Sequence, residues 1–234
     1  MAREQFDRAR LKELAIFVDL PAGDVDDLVN VAQIRHLEKG AALFEQGDPA
    51  RAFFVLADGR LKVTQVTADG QQVTLRYIGP GEMFGCVAVS GQSSYPGTAS
   101  AVVDSVVLAW QANRASELIE RHPKFGARVL RTMGDRVQEA HARLREMATE
   151  RVERRVARTL LRLAREAGKR TEHGIAIDIP LSRQDIAEMT GTTLYTVSRI
   201  LSAWENEGIV DAARQHVVIR TPHALVKIAE DLPE

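Results

Sequence analysis

The spacing of apolar and polar positions changes repeatedly along the chain. Residues 11–34 mix apolar and acidic residues at helical spacing, interrupted by Pro21-Ala22-Gly23. From Leu37 the rhythm shortens, and glycines recur from Gly40 to Gly97 with short segments such as "AFFVLADG", "RLKVTQVTADG", "QQVTLRYIG" and "AVVDSVVLAW" between them. Apolar alternation between evenly spaced turn signals predicts short antiparallel strands closing into a β-barrel or jelly roll. Asp69-Gly70 in "TADGQQVT" predicts a two-residue hairpin turn.

After Trp110 the glycines thin out and the period becomes helical. Leu130, Met133, Val137, Ala140, Leu144 and Met147 alternate steps of three and four, with Arg and Glu on the intervening positions. That stripe suits an amphipathic helix lying on its own domain. Its narrowness and heavily charged flanks favour helix-on-helix packing between two copies of the chain, a parallel two-fold dimer. A second helix, "ERVERRVARTLLRLAREAG", stops at Gly168, and "IAIDIP" reads as a strand closed by Pro180.

The last third carries the most specific pattern. In "LSRQDIAEMTG", Ser182 followed three residues later by Asp185 is a helix-start signature, Ile186, Ala187 and Met189 make an inner face, and Gly191 ends the helix. Thr193 can cap the next helix, at 193–205, in which Leu194, Val197, Ile200, Leu201 and Trp204 share one face and should point inward. Tyr195, Thr196, Ser198, Arg199 and Ser202 are left outward. "IVDAARQHVVI" then reads as two strands around a polar loop. Helix, glycine turn, helix and hairpin form a winged helix-turn-helix.

A short outward face of hydroxyls with one arginine suits a nucleic acid duplex. Hydroxyls and N–H groups at a helix start, supplied by Thr192, Thr193, Thr196 and Ser198 and by Arg183 and Gln184 at the preceding helix start, match phosphate oxygens. Arg199 can take guanine O6 and N7 in the major groove, and Tyr195 can add a hydroxyl bond or touch a thymine methyl. The plainer reading is a structural helix pair with a solvated face and Arg199 as a surface charge.

Composition narrows this picture. The chain has 234 residues, is 45% hydrophobic and carries a net charge of -1. Residues 113–170 hold 16 Lys/Arg against 8 Asp/Glu, while both flanks are acidic. Bulk charge therefore does not drive a nucleic-acid contact; a few placed cations must. The basic block serves phosphate contacts or holds an acidic partner domain, and both stay open. One cysteine, Cys86, excludes an internal disulfide and a cysteine-held metal cluster. No apolar run approaches the roughly 20 residues of a membrane span. The charged opening "MAREQFDRARLKEL" lacks a signal peptide's apolar middle. Both point to a soluble, cytoplasmic protein. A jelly roll could also host a cupin-like metal enzyme, but the β-region holds His36 alone and no His-x-His pair, so no enzyme is expected.

Taken together, the glycine-punctuated roll, "GEMFG" at 81–85, the striped helix and "LSRQDIAEMTGTTLYTVSRILSAWENEGIV" at 181–210 resemble the CRP/FNR superfamily of bacterial transcription regulators over nearly the whole chain. The resemblance implies an α+β protein: an effector-sensing β-roll domain over 1–112, a dimerisation helix over 113–150 and a winged helix-turn-helix over 151–234. It implies a homodimer on a palindromic double-stranded DNA operator, with Arg199 reading a guanine in each half-site, and activation with RNA polymerase as protein partner. The hinge re-aiming the winged helices would lie around Thr149-Glu150-Arg151.

Departures from the family pattern matter too. Cyclic-AMP-binding members have a Glu soon after the Phe-Gly of "GEMFG" and a later Arg-Ser/Thr pair; here Cys86 follows Gly85, and Pro96-Gly97 stand at the later position. Losing that Arg removes a charge-assisted contact to the cyclic phosphate, which speaks against cyclic AMP and leaves a cyclic-nucleotide-gated regulator with an atypical pocket as the alternative. The N-terminal Cys cluster of the iron–sulfur oxygen sensors is missing, which speaks against that cofactor. Tyr195 replaces those sensors' Glu, so the half-site should differ at that base pair. "TLYTVSR" is similar to nitric-oxide-responsive denitrification regulators, which implies haem as a cofactor. The effector region would then be Met83, Phe84, Gly85, Cys86 and His141, with Cys86 or His141 as iron ligand. The plainer readings are a small buried apolar residue for Cys86 and a solvent-facing one for His141.

Overall fold

The computed structural model describes residues 11–91 and 93–231. The reading of the charged opening therefore lies largely outside the described residues. The chain divides into two compact units: one runs to Gln65 and resumes over Tyr77–Val137, and the other combines Val66–Arg76 with Gln138–Glu234.

A short helix α1 (Ala22–Val31) precedes strands β1 (Gln33–Leu37), β2 (Ala42–Phe44), β3 (Ala52–Asp58), β4 (Leu61–Val66), β5 (Gln72–Ile78), β6 (Met83–Phe84), β7 (Thr98–Ala101) and β8 (Ser105–Gln111), all in the first unit except Val66 and the Gln72–Arg76 part of β5. They form two four-stranded sheets, β1-β8-β3-β6 and β2-β7-β4-β5, as expected of a roll. Strand β3 is buried along both faces, and its alternation sorts side chains between two cores. Phe54 and Leu56 enter the roll interior with Leu61, Ile78, Phe84 and Tyr95. Phe53 and Val55 face a second core with Leu28, Trp110, Phe125 and Val129. Trp110 stacks on Phe53 with ring centroids 5.4 Å apart and donates its indole N–H to the Leu28 carbonyl at 2.9 Å.

Helices α2 (Ala115–Arg121) and α3 (Pro123–Thr149) follow. Because Phe125 and Val129 share the core of Trp110, the unit containing the roll extends through Val137. The β4–β5 hairpin differs from the two-residue turn. Thr67 N–H bonds to the Gln71 carbonyl at 2.9 Å, and Gly70, not Asp69, is left-handed at φ 82°. The loop is therefore three residues long with glycine at its bulge position.

The second unit contains α4 (Val152–Ala167), β9 (Gly168–Thr171), β10 (Gly174–Ile177), α5 (Arg183–Thr190), α6 (Leu194–Asn206), β11 (Val210–Ala213), β12 (His216–Ile219) and α7 (Pro222–Glu230). Its sheet runs β11-β12-β10-β9. Val156, Leu160, Leu163, Ile186, Val197, Leu201, Trp204 and Leu225 are buried in it. Strand β9 and helix α7 have no counterpart in the sequence reading: the exposed "GKRT" of β9 is held by pairing with β10 and by the Lys169–Asp178 ion pair.

Candidate nucleic-acid interface

Local chemistry fixes both helices of the motif. The Ser182 hydroxyl accepts from the Asp185 N–H at 3.0 Å while the Asp185 carboxylate accepts from the Ser182 N–H at 2.9 Å, a reciprocal cap on α5. Gly191 takes a left-handed φ of 60° and returns its N–H to the Ala187 carbonyl, turning the chain between α5 and α6. Thr193 caps α6, its hydroxyl accepting from the Thr196 N–H at 3.2 Å. Val197, Leu201 and Trp204 anchor the inner face, and the Trp204 indole donates to Glu153 at 3.3 Å.

The outer face carries Tyr195, 76% exposed, with Arg199 and Ser202 also exposed and Thr196 and Ser198 half-buried. Arg199 makes no hydrogen bond or ion pair among the described residues, so its guanidinium projects unengaged from a helix held by its opposite face. Thr192 is half-buried and Thr193 exposed beside the helix start. One assignment is corrected. Leu194, expected inside, is 48% exposed, because a side chain in the first helical turn leans back towards the cap and past the edge of the core.

The two residues at the α5 start differ. Gln184 is exposed and donates to Glu188 at 3.1 Å. Arg183 turns inward and binds Glu205 and the Ala212 carbonyl, both at 3.3 Å, so it ties α5 to α6 and β11. The sequence reading missed Arg214, exposed in the two-residue tip between Ala213 and His216, which pair across the hairpin. Its signal is the Arg214-Gln215 pair in the polar loop between the two strands.

On α3, Leu130, Val137, Leu144 and Met147 are 71%, 53%, 67% and 56% exposed, and Ala140 is exposed with them. Met133 departs from the stripe and packs against the core of Phe125 and Val129. The first half of α3 thus has two apolar sides, one covered by its own unit and one bare.

The proposed effector residues are divided between the two units. Met83 and Phe84 are buried, Phe84 within the roll, where Phe54 stacks on it at 5.3 Å and Phe44 stacks on Tyr95 at 3.8 Å. The Tyr95 hydroxyl donates to the Ala52 carbonyl at 2.6 Å and accepts from the Ala52 N–H at 3.1 Å, and burial pushes its pKa up. Gly85 is left-handed and leads into a short turn that packs Cys86, half-buried, against the helix-facing core. His141 is exposed on the part of α3 belonging to the other unit. A cavity of about 310 Å³ opens beside Met83, lined by Glu82, Arg128, Asp135 and Arg136 among others. No group of three or more His, Cys, Asp or Glu suited to a metal ion occurs among the described residues, and no helix there is long and apolar enough to cross a membrane.

Residues 34–122 match the model of the cyclic nucleotide-binding domain, and residues 154–228 match that of the Crp-like helix-turn-helix domain. The chain is 30% identical over 219 residues to the "Cyclic AMP receptor protein" of Thermus thermophilus, covering 94% of this chain and 98% of that one. It is 28% identical over 216 residues to the "Global nitrogen regulator" of Synechococcus elongatus, covering 91% and 94%. A solved CRP-family transcriptional regulator from Thermus thermophilus superposes with a TM-score of 0.72 at 26% identity, over 84% of this chain and 96% of that one.

Proposed function

Because the chain belongs to the CRP/FNR family of transcription regulators, we propose that it acts as a homodimer on a palindromic operator, reading each half-site through α6. The relatives it matches are DNA-binding regulators rather than enzymes. The observation that carries the reading is Arg199: exposed, unengaged, and fixed on a helix capped at its start and anchored by Val197, Leu201 and Trp204. Arg199 would take guanine O6 and N7, Tyr195 would set the neighbouring base, and Thr192, Thr193, Thr196, Ser198, Gln184 and Arg214 would meet the backbone. The bare stripe of Leu130, Val137, Ala140, Leu144 and Met147 supports pairing through α3, leaving Met133 to its own core. Two α6 helices then address half-sites roughly 34–36 Å apart. Helix α3 ends at Thr149 and α4 begins at Val152 with Arg151 extended, which supports a hinge there. Selecting duplexes from a random pool with the purified protein tests this: enrichment of an inverted repeat with a guanine in each arm is expected, and unrelated single sites would refute it.

For the effector, a gas such as nitric oxide sensed through haem is carried by the sequence resemblance. The structure offers that group a poor fit. Cys86 is packed as a small apolar residue, and His141 stands exposed on α3. The cavity beside Met83 has charged walls, which do not suit the apolar faces of a porphyrin. Reconstitution with haem decides: a Soret band that shifts in Cys86→Ala or His141→Ala supports it, and no band removes it. The cyclic-nucleotide alternative has the family-model match over 34–122 in its favour. Against it stand Pro96-Gly97 in place of the phosphate-binding pair and the aromatic rings filling the roll. Titration calorimetry with cyclic AMP separates the two. Activation through RNA polymerase rests on the resemblance as well, and transcription in vitro from an operator-bearing promoter tests it.

A further inference from the structure

A second cavity, of about 440 Å³, lies within the second unit between the C-terminal half of α3, helix α4 and the end of α7. Its volume is in the range of sites for nucleotide-sized ligands. Four arginines line it: Arg143 from α3, and Arg158, Arg162 and Arg165, which the i, i+4, i+7 spacing places on one face of α4. Glu139, Glu146 and Glu230 line it too.

The arginines are not equally engaged. Arg143 binds Glu139 at 2.7 Å and the Leu75 carbonyl. Arg158 pairs with Glu150 at 3.1 Å and Glu230 at 3.2 Å. Arg162 has no ion pair among the described residues; its one hydrogen bond there reaches the Thr159 hydroxyl at 3.4 Å, and its Nε is buried without a partner. Burial, then the charge of Arg143, lower its pKa from the usual guanidinium value, yet an arginine stays charged in a protein. Arg162 is half-buried, with Glu146, Glu166 and Glu139 near enough to favour its charge but none of them paired with it, so its fork is held charged at the cavity wall without a direct partner. An arginine fork matches phosphate oxygens with two parallel bonds, and exposed Arg165 stands three residues on, on the same face.

We propose that this cavity binds a small phosphate-bearing metabolite, with Arg162 and Arg165 holding the phosphate and Glu139 and Glu146 accepting from hydroxyl or amino groups at its other end. The site lies apart from the α6 face, and its test needs no DNA, so it stands or falls independently of the operator reading.

The full chain is titrated with adenosine monophosphate and with pyrophosphate, against sodium sulfate at matched ionic strength, by calorimetry and thermal melting. Saturable binding of a phosphate compound with a raised Tm is expected. Arg162→Met should weaken it tenfold or more while melting, without ligand, at or near the wild-type temperature, because an apolar chain of similar length replaces a half-buried charge that makes no ion pair. Arg165→Ala, at an exposed position, should weaken binding without changing the ligand-free Tm. Equal shifts from sulfate, undiminished shifts in both variants, or no saturable binding of either phosphate compound would overturn the proposal.

Discussion

Val137→Glu isolates the dimer from the fold of each chain. Val137 is 53% exposed in the single chain, so a glutamate there meets water and costs the protomer little. In a parallel pair of α3 helices it faces its own counterpart. Covering half a valine contributes roughly 1 kcal/mol per chain, and symmetry applies this twice. Two carboxylates in the seam add repulsion and a desolvation penalty of several kcal/mol per ion. Even with most of that relieved by side chains bending to solvent, the pair loses at least about 4 kcal/mol, roughly a thousandfold in dimer Kd. Sedimentation velocity over a dilution series reads this directly, with circular dichroism to confirm that the monomer keeps its helices. Gln138→Glu, the same charge one residue off the stripe, should leave the dimer intact. Val137→Glu sedimenting as a dimer at wild-type concentrations would refute the seam, and unfolding on dissociation would refute the claim that each unit stands on its own core.

Arg199→Ala should leave folding and dimerisation unchanged, since the side chain has no internal partner, and should cost about 1–3 kcal/mol per half-site, which anisotropy on the selected palindrome reads as a loss of roughly thirtyfold or more. Ser182→Ala removes one half of the α5 cap and should lower stability by about 1 kcal/mol, seen as a reduced urea midpoint at unchanged slope. Tyr95 predicts an alkaline limb: burial raises its folded pKa above the unfolded value of about 10, so its share of stability is complete below that value and declines as pH rises through the folded one. Tyr95→Phe should flatten that limb and cost about 1–3 kcal/mol at neutral pH, because the buried Ala52 N–H and carbonyl lose their partner; an unchanged urea midpoint would contradict this.

What was legible in the sequence tracks where the physics is local. Reciprocal caps, a left-handed glycine and a face at helical spacing are fixed within a dozen residues, so Ser182, Asp185, Gly191, Thr193, Val197 and Trp204 could be placed from their neighbours. The roll was legible because glycine punctuation and alternation recur over eight strands. Strand β9 was not, since "GKRT" has no apolar pattern and owes its form to β10. Helix α7 starts without the side-chain cap that marks α5 and α6, and it is secured through the burial of Leu225 and Ala229. Arg183 shows the limit for sites: its position at a helix start suited phosphate, but which way a long side chain turns depends on Glu205, twenty-two residues away. Met133 fell on the stripe by spacing, yet Phe125 and Val129 draw it into another core.

In the proposed reading the two exposed faces act together, because neither would be adequate alone. A single α6 offers one arginine, a tyrosine and a few hydroxyls, and a bidentate guanine contact discriminates by only about 1–3 kcal/mol, too little to select an operator from the many competing sites of a genome. Joining two copies through α3 makes the second half-site contact intramolecular, so its free energy adds at an effective concentration set by the spacing of the helices. The near-neutral charge of the chain makes this coupling necessary, since a weakly charged surface gains little non-specific affinity from counterion release. In the proposed dimer, specificity would depend on the geometry of the pair, and a shift at the break between Thr149 and Val152 that changed the distance between the α6 helices would alter operator affinity without touching a single base contact. It follows that inserting one base pair between the half-sites should weaken wild-type binding nearly as much as Arg199→Ala does, while leaving the Val137→Glu monomer's weak half-site affinity unchanged; equal sensitivity of both proteins to that insertion would show that the pair does not measure spacing at all.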